Sequence, residues 1–104
     1  MKSKEFYLSR LGLKENQVLN TVKKAEDTDV SSVTRILWDT TNAINLGYAY
    51  STYKEYVRKT IQILAKEEKL VYTTSSNVKY YSLPKLSLIQ KLSKLFKVEL
   101  DELH

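Results

Sequence analysis

Between Ser51 and Gln62, the residues Ser51, Lys54, Glu55, Arg58, Lys59 and Gln62 are spaced so that, at about 100° per residue, they share one arc of a helix. These side chains suit contact with a nucleic acid. Lys and Arg meet phosphates or guanine edges, Gln pairs bidentately with adenine, and Ser or Thr bonds base or backbone. Glu55 can accept from cytosine or close a capping box with Thr52, and the cap is the preferred assignment. A second polar set, Thr74, Ser75, Ser76, Asn77 and Lys79, falls at the tip of a predicted hairpin, VYTTSSNVKYYSL. A helix of this kind fills a major groove about 12 Å wide while a hairpin tip reaches the neighbouring phosphates.

Other chemistry finds little support in the residue types. The chain has no Cys and a single His, His104, so thiolate catalysis, a Ser-His-Asp set and a Cys or His metal site lack their parts. Asp27, Asp29, Asp39, Glu67 and Glu68 fit helix caps and solvated faces, and there is no Gly-rich phosphate loop. Neither an enzymatic role nor a cofactor or metal is expected. Trp38 could stack on a ligand or base, but a core or interface position is the simpler assignment. Eight Tyr are divided among helix, loop and hairpin, which argues for structural roles over a single-strand stacking platform.

The elements that must position the polar sets follow from the apolar spacing. Val18, Leu19, Val22 and Ala25 line one face of a helix over Lys14 to Glu26, predicted as the first of the fold. Thr28 and Asp29 offer caps for a second over Val30 to Ile44, with Val30, Val33, Ile36, Leu37 and Ile44 on its apolar side. Thr40 to Tyr50, which holds Asn42, Asn45 and Gly47, is the connection, with Gly47 at its turn. The third helix turns Tyr50, Tyr53, Val57, Thr60, Ile61 and Leu64 to the core. In the hairpin, Val71 to Thr74 and Val78 to Tyr81 flank a turn at Ser75, Ser76 and Asn77, with Tyr81 and Leu83 facing inward and Pro84 ending the second strand.

Composition limits the options. The chain has 104 residues, 42% of them hydrophobic, with two Gly and one Pro, which suits one small domain of long helices. No apolar run approaches the roughly 20 residues of a membrane span, and the first residues lack a signal-peptide core. A soluble, cytoplasmic protein is expected. The net charge of +5 is unevenly spread: residues 1–49 hold seven Lys/Arg against six Asp/Glu, residues 50–97 ten against three, and residues 98–104 none against three. A localised positive field attracts polyanions, although a solvated Lys-rich surface has the same composition.

Gln17 to Leu83, about two thirds of the chain, resembles the winged helix-turn-helix of bacterial and archaeal transcriptional regulators, most closely the penicillinase-repressor-like group, through YKEYVRKTIQILAKEEKLVYTTSSNVKYYSL. The resemblance implies a mainly α (α+β) fold: a three-helix core, a two-stranded β-hairpin wing and a C-terminal helical tail. It places Val57, Ile61, Leu64 and Leu70 in the core, Lys54, Arg58 and Gln62 on the groove face, and Ser75 to Lys79 in the wing. Glu68 stands where a Gly is common in the family, and the connection before the third helix is longer than usual.

After Pro84, Leu86, Leu88, Ile89, Leu92, Leu95, Phe96, Leu100 and Leu103 form a broad apolar arc. Residues 1–84 are therefore expected to form the DNA-binding domain and residues 85–104 a C-terminal helix, with Leu86, Ile89, Leu92, Leu95, Phe96, Leu100 and Leu103 as a homodimer interface. The expected function is sequence-specific double-stranded DNA binding in transcription regulation, with repression by occlusion as the default. The alternatives are a non-specific architectural DNA-binding protein and a winged-helix protein-interaction module.

Overall fold

The computed structural model describes residues 2–84. The expected dimer contacts from Leu86 to Leu103 and the proposed tail lie outside the described residues. What is described is mainly helical, with a two-stranded antiparallel sheet following the helices in sequence: α1 (Lys4–Leu11), α2 (Glu15–Ala25), α3 (Val30–Thr40), a 3₁₀ turn (Ala43–Leu46), α4 (Tyr50–Lys66), β1 (Val71–Ser75) and β2 (Val78–Ser82).

The expected count of three core helices is corrected by α1. Its helical face is short, and only Leu8 and Leu11 are buried, which is why the apolar spacing did not declare it. Local chemistry explains it better. Ser3 accepts from the Phe6 N–H (3.3 Å), and Gly12 ends the helix in a left-handed conformation (φ +67°) that a side chain would strain. The turn closes through Leu13 N–H to Leu8 O at 3.0 Å. From there α1 lies along α4, with Tyr7 against Tyr56 (ring centroids 6.0 Å apart).

The predicted first helix is present as α2, with Val18 and Val22 fully buried and Leu19 partly so; Gln17 Oε1 accepts from the Lys14 N–H at its start (2.8 Å). The second, α3, is shorter than expected, because Asp29 caps it by accepting from the Ser32 N–H (3.1 Å) but it stops at Thr40. Asn42 then takes a left-handed conformation, a 3₁₀ turn follows, and Gly47 (φ +82°) reverses the chain. Ile44 is therefore not on the apolar side of the helix; it is 71% exposed, and Ile36 is 39% exposed. Thr34 takes the inner position instead, its hydroxyl donating to Val30 O (2.7 Å) so that burial leaves it satisfied.

The core stripe of α4 holds: Tyr53, Val57, Thr60, Ile61 and Leu64 are all fully buried. Tyr50 was expected with them but is 40% exposed, because it begins the helix and only its ring edge meets Trp38 (5.2 Å). Trp38 also meets Tyr53 edge-on (5.2 Å), so it walls the core. Among the described residues the Tyr53 hydroxyl has no hydrogen-bond partner, and its polar neighbour Thr41 donates its own hydroxyl to Leu37 O (2.5 Å). Burial pushes the Tyr53 phenol up.

Two backbone features hold the hairpin on the helices. Glu68 adopts φ +63°, the left-handed step that lets the chain leave α4 and bury Leu70. Thr28, expected as a cap, is instead buried as a one-residue bridge to β2: Thr28 N–H to Tyr81 O at 2.9 Å and Tyr81 N–H to Thr28 O at 2.7 Å. The turn itself contains only Ser76 (φ +51°) and Asn77 (φ +66°); Ser75 belongs to β1 and pairs with Val78. Tyr81 is buried and Leu83 packs against the core, as the alternation predicts.

Candidate nucleic-acid interface

Register decides which hairpin side chains can join α4. Residues directly opposite in an antiparallel pair share a face, so the pairs Tyr72 with Tyr81 and Thr74 with Lys79 both belong to the side that carries the buried Tyr81. Lys79 is thereby turned toward the helices. Its ammonium sits 4.8 Å above the Tyr72 ring, and Tyr72 in turn meets Tyr81 at 5.6 Å.

A surface groove of about 350 Å³ results, lined by Arg58 and Gln62 of α4, Asn77, Val78 and Lys79 of the hairpin, and Asp29, Val30 and Ser31 at the start of α3. Of the residues expected at a site, Arg58, Gln62, Asn77 and Lys79 are brought together here. Lys59 lies one step around α4 and lines a neighbouring hollow that also contains Gln62 and Lys79. Ser51, Thr52 and Lys54 do not join the groove. Ser51 and Thr52 lie at the start of α4, about 16 Å along the axis from Ser51 to Gln62, and Lys54 stands one turn before Arg58. Lys54 is close enough to favour the ionised form of Asp29. Thr74, Ser75 and Ser76 are exposed on the hairpin without lining the groove.

Glu55 departs from its expected role. The residue that caps α4 is Ala49, which has no capping side chain, and no Thr52–Glu55 box forms. Glu55 instead holds Arg58 in a two-point ion pair, with Nε donating to Oε2 at 3.0 Å and Nη2 to Oε1. That pair lowers the Glu55 carboxyl below the usual carboxylate range and raises the Arg58 guanidinium. Both partners are substantially exposed, so the pair fixes direction more than it adds stability. Chemically, Glu55 occupies the Nε/Nη2 edge of the guanidinium, and Arg58 lines the groove with Gln62 one turn further along.

Sequence reasoning missed Asp29 and Ser31 as groove residues. Asp29 was visible only as a cap, and the Ser32 hydroxyl beside it together with the Ser32 N–H holds its carboxyl below the usual range. Its nearness to Arg58 depends on the Thr28–Tyr81 bridge, which no local pattern announces. Among the described residues no group of three or more His, Asp or Glu side chains is gathered as a metal site, and no helix is long and apolar enough to cross a membrane.

No family model matches this chain, and no curated protein or solved structure shows significant similarity to it.

Proposed function

We propose that the chain is a winged helix-turn-helix protein that binds double-stranded DNA in a sequence-specific manner as a transcriptional regulator of the penicillinase-repressor-like kind, by default a repressor. The observation that carries this reading is the groove in which an oriented Arg58 and Gln62 on α4 meet Asn77 and Lys79 of the hairpin and the N-terminus of α3. The element order supports it as well. A helix, a bridging residue, a capped helix, a turn, a long polar-faced helix and a hairpin follow one another, and the hairpin is tied back through Thr28.

In this proposal α4 enters the major groove. The Arg58 fork reads guanine O6 and N7, or a phosphate when Glu55 lets it go. Gln62 is suited to adenine N6 and N7, and Lys59 and Lys79 supply phosphate contacts whose counterion release makes affinity salt-dependent. The hairpin tip lies along the adjacent backbone. Homodimerisation through residues 85–104 would set two α4 helices about one helical turn apart, which gives a palindromic operator.

Selection of bound DNA from a random pool, followed by mobility-shift titration against random competitor, tests this. A palindromic motif bound about 10³-fold or more above random DNA is the expected result. A ratio near one would instead support the architectural alternative, and no DNA affinity at low salt would leave the protein-interaction reading.

A further inference from the structure

A second hollow, of about 430 Å³, opens between α1, the C-terminal half of α4 and the helix-facing side of the hairpin. Its volume lies in the range of small-molecule sites. Lys2, Lys59, Lys66 and Lys79 stand around it, and among the described residues no carboxylate lines it. Among the described residues none of these four lysines takes part in an ion pair. The walls between them are apolar or aromatic, chiefly Tyr7, Ile63 and Tyr72.

The hollow is held open by its neighbours. Lys4 is bound by Glu15 and by Glu67 (2.7 Å), which fixes the start of α1 against the end of α4. Tyr7 is seated on Tyr56, and Tyr72 is kept in place by Tyr81 beside it and Lys79 above it. A DNA backbone needs the ammonium groups but has no use for an aromatic wall. A compact ring bearing a negative group uses both, since the ring displaces water from Tyr7, Ile63 and Tyr72 while the anion meets ammonium groups at the rim.

We propose that this cleft is a binding site for a small aromatic anion, a ring carrying a carboxylate, sulfonate or phosphate. Lys59, Gln62 and Lys79 line it and are also the residues offered to DNA, so ligand and DNA exclude one another. That exclusion rests on the proposed DNA-binding role, whereas the cleft itself does not.

The test is a fluorescence titration of the full chain with 8-anilinonaphthalene-1-sulfonate. Saturable binding at one site per chain is expected, weakened about tenfold or more by the double substitution Lys2→Glu with Lys66→Glu, which reverses two rim charges on exposed residues. The uncharged N-phenyl-1-naphthylamine should bind the wild type at least about tenfold more weakly. Equal affinity of the sulfonate for the double variant, or of the two probes for the wild type, overturns the proposal, as does the absence of saturation. Circular dichroism of the variant establishes that it is folded. In a mobility-shift arm with wild-type protein, saturating sulfonate should abolish the DNA complex. An unchanged complex overturns the exclusion, and sulfonate binding by a chain without DNA affinity sinks the regulator reading while sustaining the cleft.

Discussion

Among the described residues, Lys4 and Lys69, at the foot of α4, each meet the carboxylates of both Glu15 and Glu67, whereas Lys59, Lys66 and Lys79 meet none within ion-pair distance. Both sets are lysines on the surface of one small fold. At the foot, charges of opposite sign alternate around a four-member cluster that clips α1 and α2 to the end of α4. Lys4 Nζ is bound to Glu15 and Glu67, and Lys69 Nζ lies 2.8 Å from Glu15 and 3.6 Å from Glu67. Along the groove face the only acid of α4 is Glu55, already committed to Arg58. The positive field that reaches solvent is therefore set by which lysines the fold has neutralised, and a polyanion senses the face that has been left open.

The sharpest way to break this contrast is to compare Arg58→Ala with Lys69→Ala. If the open face binds DNA, Arg58→Ala should weaken operator binding by about 1–3 kcal/mol, or roughly ten- to a hundredfold, while Lys69→Ala leaves it within about twofold. Equal losses in a mobility-shift titration would mean that overall charge, and not the face, governs binding.

Next in size are Lys59→Ala and Lys79→Ala. Each should weaken binding to specific and random DNA alike and lower the slope of log K against log salt by about 0.9. A slope unchanged in both variants would remove these residues from the phosphate contacts. Glu55→Gln sharpens the same point in the opposite direction. Releasing Arg58 should raise random-DNA affinity a few-fold, roughly, and steepen the slope by up to about 0.9. Tighter discrimination in that variant would show that the ion pair was not orienting the fork.

The foot predicts a stability effect. Hydrogen bonds from Lys4 and then Lys69 hold the Glu15 carboxyl below its usual range. A depressed folded pKa means that its contribution is complete above the unfolded-state value, about 4.3, and is lost as pH falls through the lower folded value. Glu15→Gln should therefore lower Tm at pH 7 by roughly 3 °C, with the difference from wild type shrinking below about pH 4. A difference that stays constant down to pH 2 would assign the effect to packing. The smallest change is expected from Tyr53→Phe, which removes a buried hydroxyl that has no partner among the described residues and leaves both charged regions intact. Stability should rise by up to about 1 kcal/mol in chemical denaturation. A clear loss would show that the hydroxyl is bonded in solution.

Much of this was legible locally. The period of Val57, Ile61 and Leu64, the Asp29 cap, Gly47 as a turn and the inward Tyr81 each follow from spacing or residue type, and each is found where the pattern puts it. The failures share a cause. Ile36 and Ile44 carry the right hydrophobicity, but Ile36 sits on the outer side of α3, where Val33, Thr34 and Leu37 turn inward, and Ile44 lies beyond the helix end at Thr40. Glu55 has capping-box spacing from Thr52, yet α4 begins at Tyr50, and Arg58 offers the carboxylate a closer partner. In α1 the apolar signal is thin, so its place in the core depends on α4 as a surface to pack against.

The sequence by itself determined α2, α4, the start of α3, the hairpin and which face of α4 is polar, because those follow from neighbours three or four positions apart and from the alternation of a strand. Only the tertiary structure decided that Lys4 and Lys69 are neutralised, that Arg58 and Lys79 share a groove with Asp29, and that four lysines surround an aromatic hollow. These depend on contacts between residues distant in the chain, which are set by the packing of α1 on α4 and by the two hydrogen bonds from Thr28 to Tyr81. Coulomb interactions act through space, so the charge pattern along the chain becomes a charge pattern on a surface only after that packing is in place.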